Sequence, residues 1–578
     1  MASCRTCKYN RDSGLKLSQH ILPTALMARR FHLSTELVIG LFALYGALVF
    51  NQSLLSLTLQ LHPWHEPASW GLLAGILAIV TSLHFLLLAL VSTQKNVKFW
   101  VLLFAIAGTL AAHYQAHYRV YFDPSMMRNI LHTDYAEARE LISWSLFSSV
   151  AVWFIPLALV LRQVQVKSVS RTRALQQRLL AVLLAGGVLI VVMLSLYAPL
   201  SSMMRNHKEA RYLITPANTL WGLLQVVDND TQAWAQGARL PIGLDAHAVP
   251  RPAARTRPLL VVWVVGETAR AANWGLNGYS RATTPELAHW AAQPGFIHFP
   301  LAQSCGTNTE VSVPCLFSPW GRHDYDERRI HGSESLLHVL ARAGVGVHWR
   351  DNQSGCKGVC DGLPHENTSQ HVGQNPLCHE GQCWDEILLA GFEQKMAQLA
   401  TGTPPRSHLW VLHQLGNHGP AYYKRYPPAY DQFQPACQQE DLSRCTLEQT
   451  VNAYDNAVIY TDTVLSRLLQ TLQQQQEAID SVVIYVSDHG ESLGEKNLYL
   501  HGVPYWMAPE QQTRVPMFLW FSKHAAQTTG TDLSCLKARA QQPVQHDHLF
   551  HTVLSLFDVR TSLHQPEWDL LTQCQTRS

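Results

Sequence analysis

Five long apolar stretches dominate the first 200 residues, at about 35–57, 70–91, 97–116, 141–161 and 179–200. Each is close to the roughly 20 residues that a helix needs to cross the hydrocarbon core of a bilayer. Burial in a soluble core is a poor alternative for Trp70–Val91 and Leu179–Leu200, which contain no charged residue. Basic residues sit on one set of connections: Arg5, Lys8, Arg11, Lys16, Arg29 and Arg30 before the first stretch, Lys95 and Lys98 in the second loop, and Arg162, Lys167, Arg171, Arg173 and Arg178 in the fourth. The positive-inside rule puts these in the cytoplasm. Five crossings then export everything after residue 200. The segment 1–34 does not read as a cleaved signal peptide, because the apolar stretch behind it is long and lacks a small-residue cleavage site.

Charge and cysteine divide the chain the same way. Only 15% of residues are charged, against about 25% in soluble proteins, and the deficit lies in the first third. The net charge of +2 and the lack of a basic stripe with interleaved aromatics argue against a nucleic-acid partner. Ten of the 12 cysteines follow residue 300, most in close pairs: Cys305/Cys315, Cys356/Cys360, Cys378/Cys383 and Cys437/Cys445, with Cys535 and Cys574 as a possible fifth. In an exported half this pattern reads as disulfides. A zinc cluster is the competing reading of Cys356-Lys-Gly-Val-Cys360.

Residues 201–255 read as a connector approaching the soluble domain through Pro241, Pro250 and Pro252. From 256 to 578, apolar runs alternate with helical patterns such as Glu448 to Gln476, which predicts an α/β domain with a mostly parallel sheet. Four runs end in polar, ligand-type residues. Ser481–Val486 leads to Ser487-Asp488-His489-Gly490-Glu491, and Pro258–Gly266 to Glu267-Thr268. His408–Leu412 leads to His413 and then Gly416-Asn417-His418-Gly419, and Val345–Trp349 to Arg350-Asp351-Asn352. Open α/β sheets bind ligands at the carboxyl ends of their strands.

Glu267, Asp488 and His489 offer two carboxylates and an imidazole, a set suited to zinc with one position left open. Thr307, in Ser304-Cys305-Gly306-Thr307-Asn308-Thr309-Glu310, is the candidate nucleophile at a helix N-terminus, where free N–H groups bind anions. The same residue is equally readable as a plain N-cap. Asn129, Thr133 and Glu137, in the exported loop Tyr118–Glu140, are four apart and share a face if that loop is helical. That face either meets a lipid head group or is simply solvated. Asp455 reads as a polar-face residue of an amphipathic helix, Glu491 as a support for His489, and His413 as a group that orients a neighbour.

Taken together, Gly266-Glu267-Thr268-Ala269-Arg270, Ser304-Cys305-Gly306-Thr307, Asn417-His418-Gly419-Pro420, Ser487-Asp488-His489-Gly490-Glu491-Ser492-Leu493-Gly494 and His501-Gly502 resemble the lipid A phosphoethanolamine transferases. That family includes the mobile colistin-resistance enzymes and belongs to the alkaline phosphatase superfamily. The resemblance implies a five-helix membrane domain (35–200) on the bacterial inner membrane and a periplasmic catalytic domain (256–578). It implies Thr307 as nucleophile and Glu267, Thr307, Asp488 and His489 as holders of one zinc. His418 and His501 would contact phosphoethanolamine or a second zinc, and Lys357 the phosphate. Asn129, Thr133 and Glu137 would face lipid. Gln353 stands where many relatives have Asn. The implied reaction moves phosphoethanolamine from phosphatidylethanolamine to lipid A by way of a covalent threonine adduct and lowers sensitivity to cationic peptides. A monomer is expected.

Several rivals fit the same sequence: transfer to a Kdo or heptose sugar, a phosphodiesterase or sulfatase of the same superfamily, a lipoteichoic acid synthase, and a zinc-stabilised scaffold without turnover. Cys305-Gly-Thr-Asn-Thr lacks the context from which sulfatases form formylglycine.

Overall fold

A computed structural model describes residues 30–61, 65, 67–133, 135–236, 239–249, 257–368, 375–379, 382–402 and 406–575. The segment before residue 30, with Cys4 and Cys7, lies outside the described residues, as do Pro250 and Pro252.

The membrane half opens with a correction. The first apolar stretch is not one straight helix but two, α1 (Thr35–Val49) and α2 (Gln52–Leu61), bent by 55°. Asn51 fills the break. Its amide donates to the carbonyls of Gly46 (3.0 Å) and Thr215 (2.8 Å), and its carbonyl oxygen accepts the Thr215 N–H (2.9 Å). A buried amide with these partners offsets the helix hydrogen bonds given up at the bend. Then come α3 (Pro67–Val91) and α4 (Val97–Tyr118), both long and apolar enough to span a bilayer.

The loop after α4 carries α5 (Pro124–His132), capped by the Asp123 carboxylate on Met126 N (2.9 Å). One continuous helix through Asn129, Thr133 and Glu137 does not form. Thr133 is extended (φ −63°, ψ 132°) and turns its hydroxyl onto the Asn129 carbonyl at 2.7 Å. Glu137 belongs to a separate helical turn, Tyr135–Glu140, and its side chain lies outside the described residues. Two further helices long and apolar enough to span follow, α6 (Trp144–Gln163) and α7 (Arg171–Ser195), the second with no buried residue. The region 201–255 is more than a tether. It contains α8 (Ala217–Gln236), which packs along α5.

The α/β domain is built on seven strands: β1 (Leu259–Gly266), β2 (Phe296–His298), β3 (Gly346–Asp351), β4 (His365–Asn367), β5 (His408–His413), β6 (Asp480–Ser487) and β7 (Met517–Phe521). They run in the order β2-β7-β6-β1-β5-β3-β4. From β6 to β4 all are parallel; β7 is antiparallel to both β6 and β2.

All eight residues of β1 and of β6 are buried, which is why both read as unbroken apolar runs. Alternate residues serve opposite faces. Val261, Trp263, Val482 and Ile484 join one core, and Val262, Val264, Val483 and Tyr485 the other. Helix α9 (Thr309–Leu316) follows β2 in sequence, and the 28-residue α10 (Leu447–Gln474), started by a Thr446/Gln449 capping box, covers the second face.

Register sets the site. Ser487 pairs with Gly266, and His413 pairs with both Val265 and Asp351. Four parallel strands, β6, β1, β5 and β3, therefore end level with one another, and the residues just beyond them are neighbours. All five expected cysteine pairs are disulfides: Cys305–Cys315, Cys356–Cys360, Cys378–Cys383, Cys437–Cys445 and Cys535–Cys574.

Candidate active site

Glu267 follows β1, and Asp488 and His489 follow β6. All three are fully buried, with ligand atoms within 4.8 Å of one another. His489 Nε2 lies 3.4 Å from Glu267 Oε1 and 3.3 Å from Asp488 Oδ2. The chain bends sharply to reach this arrangement. Thr268 adopts φ +58°, in the left-handed region that costs a non-glycine residue about 1–3 kcal/mol. The bend aims its N–H at Asp488 Oδ1 (3.1 Å) and its hydroxyl at Glu267 Oε1 (2.5 Å). Gly416 (φ +54°) crosses so closely that a β-carbon there would lie 2.5 Å from the Glu267 carbonyl. This close crossing brings the Asn417-His418 loop over the cluster, with Asn417 N–H on the same carbonyl at 3.0 Å.

The donor set fits a divalent cation. His489 Nδ1 donates to the Gly490 carbonyl at 2.9 Å, which turns Nε2 toward the two carboxylates. Asp488 Oδ2 is buried without a hydrogen-bond partner. Burial pushes Asp488 up to about 7, with the Glu267 charge adding to it. His489, despite its burial, is drawn up to about 10 by Asp488 and Glu267. Burial also opposes ionised Glu267, yet the hydrogen bond and charge of His489 hold it below the usual carboxylate range. In effect these groups share protons at the point where a cation would satisfy them all.

Besides Thr268, the hydroxyl that reaches this cluster is that of Thr309 and not that of Thr307. Thr309 Oγ1 lies 3.1 Å from Glu267 Oε2 and 3.4 Å from His489 Nε2. Thr307 instead donates to the Val503 carbonyl at 2.7 Å. The physical reason is where α9 starts. Asn308 is its N-cap, with the side-chain carbonyl on Val311 N at 3.0 Å, so Thr309 is the first helical residue and Thr307 lies outside the helix. The open N–H groups of the first turn therefore surround Thr309.

Two histidines complete the near surroundings. The His501 ring centre lies 4.4 Å from that of His489 and 5.6 Å from that of His418. Glu491 does not support His489 as expected. Its Oε2 meets His501 Nδ1 at 3.1 Å, while the carbonyl of Gly490 orients His489. His413 is buried beside the cluster with Nδ1 on Asp351 Oδ1 at 2.8 Å. Despite burial, that carboxylate raises it above the ordinary histidine value.

Lys357, in a left-handed turn (φ +49°), reaches Glu310 Oε1 at 2.7 Å, so it stands one residue along from Thr309. Gln353 turns back onto Ser354, which in turn accepts from Lys357 Nζ at 2.7 Å. Asp455 lies apart from the cluster, in a network with Asn273, Tyr279 and Arg281. Asn129 and Thr133 close the end of α5, whose His132 meets Glu310 Oε2 at 3.3 Å.

The family model described as phosphoethanolamine transferase EptA/EptB matches residues 80–231, and the sulfatase family model matches 260–559. The chain is 37% identical to phosphoethanolamine transferase EptA of Escherichia coli K12 over 478 residues, covering 82% of this chain and 85% of that one. It is 33% identical to phosphatidylethanolamine transferase Mcr-1 of Escherichia coli over 496 residues, covering 85% and 89%. The solved integral membrane lipooligosaccharide phosphoethanolamine transferase A of Neisseria meningitidis is 34% identical and superposes with a TM-score of 0.87, covering 94% of this chain and all of that one.

Proposed function

The chain belongs to the phosphoethanolamine transferase family, and we propose that it moves phosphoethanolamine from phosphatidylethanolamine to a phosphate of lipid A, with Thr309 as the nucleophile. The observation that carries this reading is the Thr309 hydroxyl lying against Glu267 and His489 at the first turn of α9. We assign zinc to Glu267, Asp488, His489 and Thr309. Bound there, zinc supplies charge that favours the ionised threonine oxygen and the phosphoryl oxygens.

The chain's own groups do the rest. Glu267 accepts the Thr309 hydrogen bond and holds the oxygen in line. The oxygen attacks phosphorus, the bond to the diacylglycerol oxygen breaks, and phosphoethanolamine stays on Thr309. His501, fixed through Nδ1 by Glu491, delivers a proton to the leaving oxygen from its other nitrogen. A lipid A phosphate then attacks the adduct and frees Thr309. Lys357 and His418 attract the phosphate. The product carries an added amine, so the surface is less negative and binds cationic peptides less tightly.

This reading places the protein in the bacterial inner membrane, with residues 257–575 in the periplasm as a monomer. It is tested on the full-length protein in vesicles containing phosphatidylethanolamine. Intact and peptide mass should show a phosphoethanolamine adduct on Thr309, discharged when lipid A is added. Release of free ethanolamine phosphate without transfer would identify a hydrolase instead. Discharge onto a core sugar would move the acceptor.

A further inference from the structure

Besides the Arg128–Glu327 ion pair (2.7 Å), the exported segment from α5 to Glu140 makes three contacts with the catalytic domain that each lie beside a residue of the site. Met126 packs on Gly502, next to His501; a β-carbon on that glycine would lie 2.1 Å from Met126 Cε. His132 meets Glu310, next to Thr309, at 3.3 Å. Glu140, just before α6, ion-pairs with Arg425.

The third contact is the most deeply buried. Arg425 and Glu140 are 3% and 4% exposed. Each nitrogen of the Arg425 guanidinium is engaged: Nη2 by Glu140, Nη1 by the Gln382 side-chain carbonyl, and Nε by the backbone carbonyl of His418 at 2.7 Å. The planar fork thus holds a membrane-side carboxylate on one edge and the His418 backbone on the other. Removing either partner of a buried pair leaves the other charge without compensation, so such a pair strongly enforces one arrangement.

We propose that Glu140 and Arg425 are positioning residues for His418: docking of the membrane half through this pair fixes the loop that carries the histidine over the site. Neither residue touches the reacting atoms; both act through the His418 carbonyl. The inference rests on the transferase reading for its assay, and goes beyond it in making the geometry of the site depend on the membrane half.

The test uses full-length wild type, Glu140→Ala, Glu140→Gln, Arg425→Lys, His418→Ala and the double variant Glu140→Ala/His418→Ala, all in the same vesicles. Wild-type transfer is measured first; its absence would remove the transferase reading, and the docking is then judged from thermal unfolding, recorded with metal content for every variant: an unfolding midpoint of Glu140→Ala equal to wild type overturns it, and a lowered one supports it. With wild-type transfer present, Glu140→Ala is expected to lower kcat by roughly tenfold or more with KM for the donor within about threefold. Glu140→Gln, which keeps an acceptor oxygen, is expected to recover part of that loss.

The deciding result is the double variant. If the pair works through His418, Glu140→Ala costs less than about threefold on top of His418→Ala. Losses that multiply would overturn the proposal, as would full activity in Glu140→Ala. Should Glu140→Ala fail to fold, the same cycle is run with Glu140→Gln.

Discussion

Thr309 and Thr307 differ by two positions, and the structure predicts opposite fates for their alanine variants. Thr309→Ala removes the hydroxyl that lies against both Glu267 and His489, at 3.1 and 3.4 Å. Loss of a nucleophile that forms the covalent intermediate should cut turnover by about 10³-fold or more. Thr307→Ala removes a single hydrogen bond to the Val503 carbonyl (2.7 Å). A buried acceptor left unsatisfied costs about 1–3 kcal/mol. Even if all of that appeared in the barrier, at about 1.4 kcal/mol per factor of ten, the rate would fall by about 5- to 150-fold.

Thr309→Ser keeps the oxygen and should keep the adduct. The assay is transfer from labelled phosphatidylethanolamine by the full-length protein, with peptide mass to locate the label. An adduct that survives in Thr309→Ala and vanishes in Thr307→Ala would refute both the start of α9 and the assignment built on it.

Three further outcomes are expected. Glu267→Gln and Asp488→Asn should each lose most bound zinc by elemental analysis, and chelated wild type should regain transfer when zinc is restored. The His132–Glu310 contact should respond to pH, since Glu310 raises the His132 pKa above the ordinary value. Its stabilising contribution is therefore complete below the unfolded value and disappears as pH rises through the folded one. The melting difference between wild type and His132→Gln should shrink over that rise, and a difference independent of pH would contradict the contact. Replacing both Cys305 and Cys315 by Ser opens the bridge that spans α9, with ten residues of sequence separation, and should cost about 2–4 kcal/mol by denaturant titration.

Much of the site could be read directly from the sequence because parallel strands buried on both faces leave unbroken apolar runs. The polar residue that ends such a run marks the strand's carboxyl end. Glu267, Asp488 and His489 stand immediately after β1 and β6, so no long-range information was needed to find them. Thr309 was harder. Thr307, Asn308 and Thr309 are all helix-starting residue types, and only the observed Asn308 bond to Val311 N fixes which comes first. Asn308 is among the strongest N-cap residues, and that preference was the one local signal available.

The bend at Asn51 had no such signal, since a single amide inside an apolar stretch does not reveal its partner at Thr215. Glu140 and Arg425 are 285 residues apart, and nothing local to either foretells the pair. The face assumed for Asn129, Thr133 and Glu137 failed because spacing reports periodicity and not where a helix stops.

The Asn51–Thr215 clasp has a kinetic consequence. It ties the start of α8 to a broken membrane helix, and a catalytic domain braced through it is expected to stay at one height over the bilayer instead of swinging on a tether. A braced site cannot search; its lipids must drift to it within the leaflet. Turnover should therefore follow the mole fraction of donor in the membrane and stay constant when total lipid is diluted at fixed composition. In that sense the enzyme reads a two-dimensional concentration, and the bilayer acts as part of its rate law.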